Sequence, residues 1–155
     1  MSIDHEAFAR GLLDAINRQD WDTVDTMVTD DVEEIYPQSG EIIRGRANSR
    51  AVRENYPRLV GQGADVTTFR IAPSEPAVVM TRMFTLVRVE GTGNTGTIQV
   101  RIRYADDSYW WLVGLYELRD GRMARITQFF APEFPPPEWR SKWVEVSPAP
   151  PPAPD

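Results

Sequence analysis

The chain has 155 residues, a formal net charge of −6 and an isoelectric point of about 4.9, with 41% apolar and 26% charged residues. That length suits one domain with its own core, and the acidic balance argues against nucleic acid or an anionic membrane as the main partner. There is no cysteine, which excludes disulfides and thiolate chemistry, and the single histidine, His5, leaves little for a transition-metal site.

The opening Met-Ser-Ile-Asp-His-Glu has no basic-then-apolar leader pattern, and no apolar run approaches membrane-spanning length, so the expected location is the cytoplasm. Ser2 or Asp4 is placed to cap a first helix reaching about Arg18, with Phe8, Leu12, Ala15 and Ile16 as its apolar stripe. His5 falls in the first turn and is expected at the solvent-exposed surface. Asp20 caps a short second helix with Trp21, Val24 and Val28 inward. Residues 32–36 read as a strand, 37–40 as a turn and 41–44 as a short return strand. Gly45 breaks the pattern before a third helix over about 47–56, which Pro57 and Gly61 end.

Five further strands are predicted near 65–72, 77–90, 97–104, 109–118 and 122–131. The glycine-rich stretch 91–96 is read as a loop, without the Lys and following helix of a phosphate loop. Three prolines follow Phe134, then a short helix bearing Trp139 and Trp143. The expected organisation is one domain over 1–146 and a Pro/Ala-rich tail over 147–155. Helices followed by antiparallel strands define an α+β class.

The densest signal is 109–131. Two β-rich runs flank Asp120-Gly121, a dipeptide favoured where both turn residues need positive φ. With a two-residue loop, Arg119 faces Arg122, and counting outward pairs Leu115 with Ile126, Val113 with Gln128 and Trp111 with Phe130. The opposite face then carries Trp110, Leu112, Tyr116 and Leu118. A turn over 105–108 adds Tyr104, Ile102, Val100 and Ile98 to the side of Tyr109, Trp111 and Val113. A slip of one residue would exchange the faces. The first face is apolar around a single amide, Gln128. A sheet apolar on both sides needs two covers. The helices provide one. The other is a second copy docking on Trp110, Leu112, Tyr116 and Phe129, or the chain's own Trp139/Trp143 segment.

Four stretches carry a family likeness: Ala15-Ile-Asn-Arg-Gln-Asp-Trp-Asp22; Tyr36-Pro-Gln-Ser-Gly-Glu41 with Arg44-Gly-Arg46; Glu117-Leu-Arg-Asp-Gly-Arg122; and Phe129-Phe-Ala-Pro with the downstream Pro-Glu-Trp-Arg140. The chain resembles the nuclear transport factor 2-like superfamily, within it the SnoaL-like group. The resemblance implies a cone-shaped α+β barrel, three N-terminal helices on a strongly curved, mostly antiparallel sheet, and a dimer through the outer sheet face. It also implies a deep pocket, used for cyclisation, isomerisation, epoxide hydrolysis, dehydration or plain binding. Similar epoxide hydrolases place an Asp before the aromatic pair of the last strand, where this chain has Gln128. They also need an Arg-x-Asp on the neighbouring strand, which here reads Ile98, Val100, Ile102 at pocket-facing positions. Similar ketosteroid isomerases place an Asp just before a Pro in the first strand turn, where this chain has Tyr36, and a first-helix Tyr that falls near Leu12.

The candidate catalytic residues are therefore Tyr36, Gln128 and Glu34. A phenol and an amide can orient a carbonyl oxygen, and Glu34 shares strand parity with Tyr36 and is the candidate base. Each has a structural alternative: a wall tyrosine, a locally bonded amide, a solvated glutamate. Tyr104, Tyr109, Trp111, Val113 and Phe130 would form a greasy wall for a flat ligand, or ordinary core, with Tyr56 near the rim. The orientations of Arg82, Glu117 and Glu34 stay open. The expected function is a cofactor-free isomerase, cyclase or dehydratase for a hydrophobic, carbonyl-bearing molecule, without metal. The alternative is a non-catalytic binding or accessory module of the same shape.

Overall fold

The computed structural model describes residues 2–55, 83–104 and 108–146. The expectations for Tyr56, the strand near 65–72, Arg82, most of the turn at 105–108 and the tail at 147–155 lie outside the described residues.

Three helices come first: α1 (His5–Asn17), α2 (Trp21–Met27) and α3 (Arg46–Glu54). Asp4 caps α1 through a 2.9 Å bond from the Ala7 amide, and Asp20 caps α2 from the Thr23 amide at 3.1 Å, both as the sequence predicts. β1 (Val28–Tyr36) and β2 (Glu41–Arg44) form the first hairpin, before α3. β3 (Phe84–Thr92), β4 (Thr95–Arg103), β5 (Tyr109–Arg119) and β6 (Arg122–Pro132) follow. The sheet order is β2-β1-β6-β5-β4-β3. Every pairing is antiparallel except β1 with β6, which is parallel and brings the first strand beside the last. This is the expected α+β architecture of helices on a curved sheet, and the sheet does not close among the described residues.

The core lies between the helices and one sheet face. α1 contributes Ala9, Leu12, Leu13 and Ala15, and the sheet contributes Val32, Ile98, Val100, Ile102, Leu112, Tyr116, Leu118, Met123 and Ile126. Asn17 fastens the end of α1 to β3 by exchanging two bonds with the Phe84 backbone, at 2.9 and 3.0 Å.

Asp120 and Gly121 form the predicted turn, with φ of 53° and 74° and Arg119 opposite Arg122. The facing of β5 differs from expectation. Leu118 pairs with Met123 but Glu117 pairs with Arg125, so Ala124 is an extra residue on β6, a β-bulge. Beyond it Tyr116, not Leu115, meets Ile126, and Gly114, not Val113, meets Gln128. The connection to β4 is also one residue longer than counted, with Arg103 opposite Tyr109. The offsets turn over β5 and, ahead of the bulge, Met123 of β6, which is expected outside and is buried. β4 and residues 126–130 of β6 keep their predicted facing.

Trp110, Leu112 and Tyr116 therefore face the core, and Leu112 and Tyr116 are buried there. They cannot form the outer interface predicted for them, and Phe129 alone of that set is on the outside, 42% exposed. Its neighbours there are Trp111, Val113 and Leu115. Trp139 and Trp143 sit on a 3-10 turn over Glu138–Trp143 and are both exposed, so their rings do not cover the outer face.

His5 is buried, not exposed. Its Nε2 bonds the Gly93 carbonyl at 3.1 Å and its Nδ1 bonds the Tyr116 hydroxyl at 2.8 Å. A carbonyl can only accept, so Nε2 carries the proton, and in the neutral ring Nδ1 accepts from Tyr116. Stretch 91–96 is not an open loop: Gly91 pairs with Gly96 in the ladder, and only Gly93-Asn94 makes the turn. A Cβ on Gly91 would lie 2.3 Å from the His5 ring, and one on Gly96 2.3 Å from the Tyr116 ring. The paired glycines are the notch that admits both rings.

Candidate functional site

Side chains two apart on a strand share a face, so β1 presents Glu34 and Tyr36 together and β6 presents Gln128 and Phe130. The parallel pairing sets Glu34 beside Ile126 and so brings Tyr36 level with Gln128. Above β1, the Gly45 amide bonds the Val32 carbonyl at 2.8 Å with φ of 83°, which launches α3 across the strand. Ser49 and Arg53, four apart on α3, then point to the same place.

These five polar groups form one connected chain. Gln128 Nε2 donates to the Tyr36 hydroxyl at 3.3 Å, and that hydroxyl donates to Glu34 Oε2 at 3.2 Å. Glu34 Oε1 accepts from Ser49 Oγ and, at 2.7 Å, from Arg53 Nη2. Glu34 is 5% exposed, and its ion pair with Arg53 is the most enclosed one among the described residues. Burial pushes the Tyr36 phenol above its ordinary value of 10.0, and the charge and hydrogen bond of Glu34 push it the same way, against smaller opposing effects of Arg53 and Gln128. Tyr36 is thus a neutral proton donor throughout the physiological range.

Four members of the network, Glu34, Tyr36, Arg53 and Gln128, line a cavity of about 130 Å³. The other walls are apolar: Leu12, Leu13, Ile16 and Trp21 from the helices, and Ile98, Val100, Leu112, Met123 and Phe130 from the sheet. Phe130 stacks on Tyr36 with ring centres 5.8 Å apart and planes at 16°. A small apolar body fits such a space with one polar group at the Tyr36–Gln128 end. Among the described residues no three His, Asp or Glu side chains converge as a metal site.

The structure brings Glu34, Tyr36, Gln128 and Phe130 together. Tyr109, Trp111 and Val113 are not. The reversal of β5 puts them on the outer face, where Tyr109 lies 3.9 Å beneath the Arg101 guanidinium. Tyr104 packs against the core edge-on to Trp110, at 6.0 Å, without reaching the cavity wall. Glu117 is outward, opposite Arg125. Sequence reasoning missed Ser49 and Arg53. Their spacing of four on a predicted helix was the available signal, but nothing in the sequence marks that face as turned to Glu34.

Helices laid on one face of a curved, mostly antiparallel sheet define an α+β fold, with the cavity between them. The chain belongs to the SnoaL-like domain family, whose pattern matches residues 9–126. An NTF-2 like protein of unknown function from Burkholderia xenovorans LB400 is similar at 29% identity, with a TM-score of 0.67 over 92% of this chain and 94% of that one. A putative ketosteroid isomerase from Kribbella flavida DSM 17836 is 25% identical, with a TM-score of 0.71 over 95% and 94%. An LEH-like epoxide hydrolase of M. tuberculosis shares the fold at 17% identity and a TM-score of 0.55, over 81% and 80%. No curated protein matches the sequence.

Proposed function

We propose that this protein is a cofactor-independent enzyme of isomerase, cyclase or lyase type, acting on a small hydrophobic molecule that bears a carbonyl group. The observation that carries this reading is a buried donor chain, Gln128–Tyr36–Glu34, at the polar end of an otherwise apolar cavity. In the proposed reaction the Tyr36 hydroxyl and Gln128 amide turn to the substrate oxygen and stabilise charge that develops on it. Glu34 is the proposed base for the adjacent proton. The similarity to a putative ketosteroid isomerase supports chemistry at a carbonyl.

A second reading, a non-catalytic binding or accessory module, is favoured by one fact. Glu34 already accepts three hydrogen bonds, which leaves about one of its four lone-pair positions for a substrate proton. Under either reading we place the protein in the cytoplasm as a homodimer through the outer face of Val113, Leu115 and Phe129. No helix among the described residues is long and apolar enough to cross a membrane.

Native mass spectrometry of the purified protein tests for a retained ligand, and a library of cyclic ketones, lactones and enones tests for turnover. The enzyme reading expects turnover that drops at least tenfold or so in Tyr36→Phe and in Gln128→Leu. Full turnover in both variants would remove these residues from the site. A bound ligand without turnover would establish the binding module.

A further inference from the structure

We infer that Arg53 is a ligand-binding residue of this cavity, donating from Nη1 to an oxygen of a neutral carbonyl compound, and that the site selects against carboxylates. The inference rests on the reading of the cavity as a carbonyl site and adds a residue and a charge preference to it. Arg53 lines the cavity. Its Nη2 is committed to Glu34 at 2.7 Å. Its Nη1 is buried and has no hydrogen-bond partner among the described residues. A buried guanidinium nitrogen with both protons unsatisfied is costly and rare in a folded protein. An acceptor oxygen supplied by a ligand removes that cost. Among the described residues nothing accepts from Nη1, and Glu34 beside it already holds Ser49, Tyr36 and Nη2.

The charge balance selects the oxygen. Glu34 and Arg53 are the charged groups among the described lining residues, and they pair as one negative and one positive. A neutral ketone or lactone leaves that balance intact. A carboxylate would add uncompensated negative charge to an apolar, poorly solvated space, beside Glu34. If Glu34 takes a proton from the carbon next to the carbonyl, the C–H electron pair moves to form the enolate. Glu34 becomes neutral, the enolate oxygen is negative, and Arg53 remains paired. The total charge of the cavity is the same before and after.

The test compares cyclohexanone, methylcyclohexane and cyclohexanecarboxylate, titrated into the full chain and followed by NMR, with the arginine side-chain N–H signals as a direct readout. The expected order is ketone tighter than hydrocarbon by about tenfold or more, with the carboxylate weakest. One Arg signal moves with the ketone only. Because Arg53→Ala strands Glu34 and risks unfolding, the informative variant is the double change Glu34→Gln with Arg53→Met. It should still bind methylcyclohexane and show a ketone preference clearly smaller than that of wild type, the remainder being what Tyr36 and Gln128 supply. The inference is overturned if wild type binds ketone and hydrocarbon equally, if the double variant keeps the full wild-type ketone preference, if the carboxylate binds best, or if no probe binds. Failure of the catalytic reading looks different: the ketone preference depends on Arg53, yet no carbonyl compound is turned over.

Discussion

The Gln128 amide and the Tyr36 hydroxyl, 92 positions apart in the chain, meet at 3.3 Å across the only parallel strand pair among the described residues. That bond holds the Tyr36 phenol so that its own proton falls on Glu34. Replacing Tyr36 by Phe breaks the connection on both sides while keeping the ring stacked on Phe130. The variant should fold with near-wild-type circular dichroism and lose about 1 kcal/mol of unfolding free energy at neutral pH.

Alkaline pH provides a second test of the same residue. The Tyr36 pKa is raised above 10.0 in the folded protein, and that of Tyr116 is raised by burial as well. A group shifted this way contributes stability that is whole below its unfolded value and is lost as pH rises towards the folded one. Urea unfolding between about pH 8 and pH 11 should show falling stability beginning near pH 10. The fall should be shallower in Tyr36→Phe. An unchanged slope would mean that Tyr36 is not the group responsible.

Breaking the Glu34–Arg53 pair from one side should be severe. Arg53→Ala leaves a buried carboxylate without its cation and is expected to cost about 3 kcal/mol or more. The paired replacement, Glu34→Gln with Arg53→Met, should cost much less than the two single losses added together. A double-mutant cycle in chemical denaturation measures that difference.

The glycine notch predicts a packing defect with a named victim. Gly96→Ala drives a methyl into the Tyr116 ring, and Gly91→Ala drives one into His5. Each should destabilise by about 1–3 kcal/mol, as overpacking does. His5→Ala should rescue much of the loss in Gly91→Ala and little of that in Gly96→Ala, as thermal unfolding of the double variants would reveal.

The proposed dimer is tested on the residues that do face outward. Leu115 is 49% and Phe129 42% exposed in the single chain. Leu115→Glu and Phe129→Glu should convert a dimer into a monomer in sedimentation velocity, with secondary structure unchanged. Monomeric wild-type protein would end this proposal.

Most of the fold was legible because local chemistry announces it. Asp4 and Asp20 cap their helices, Asp120-Gly121 closes its hairpin, and Gly45 starts α3. The inward sets of β4 and of β6 from Ile126 to Phe130 were legible too, since alternation within a strand needs no partner. The face of β5 was not. It depends on one extra residue, Ala124, which carries no turn or breaker chemistry, and on one more residue in the preceding connection. Tyr109, Trp111 and Val113 were assigned to the pocket for that reason alone. His5 was read as exposed because its burial depends on two glycines some 90 positions later, whose meaning lies in what they lack. At the site, Tyr36, Glu34 and Gln128 were within reach of strand parity. Arg53 was not, because the angle at which a helix crosses a strand is absent from periodicity.

The parallel pairing of β1 with β6 also fixes when the cavity can come into existence. A growing chain that has reached its hundredth residue or so already holds Glu34, Tyr36, Ser49 and Arg53, yet of the described strands that flank β1 it has only β2. Joining β1 to β6 requires closing a span of 92 positions, a slow event because so much chain must be gathered before any contact rewards it. Hairpins β3–β4 and β5–β6 can zip locally beforehand. The polar end of the cavity is then among the last parts to form during synthesis, and an interrupted chain yields helices and hairpins without a binding site.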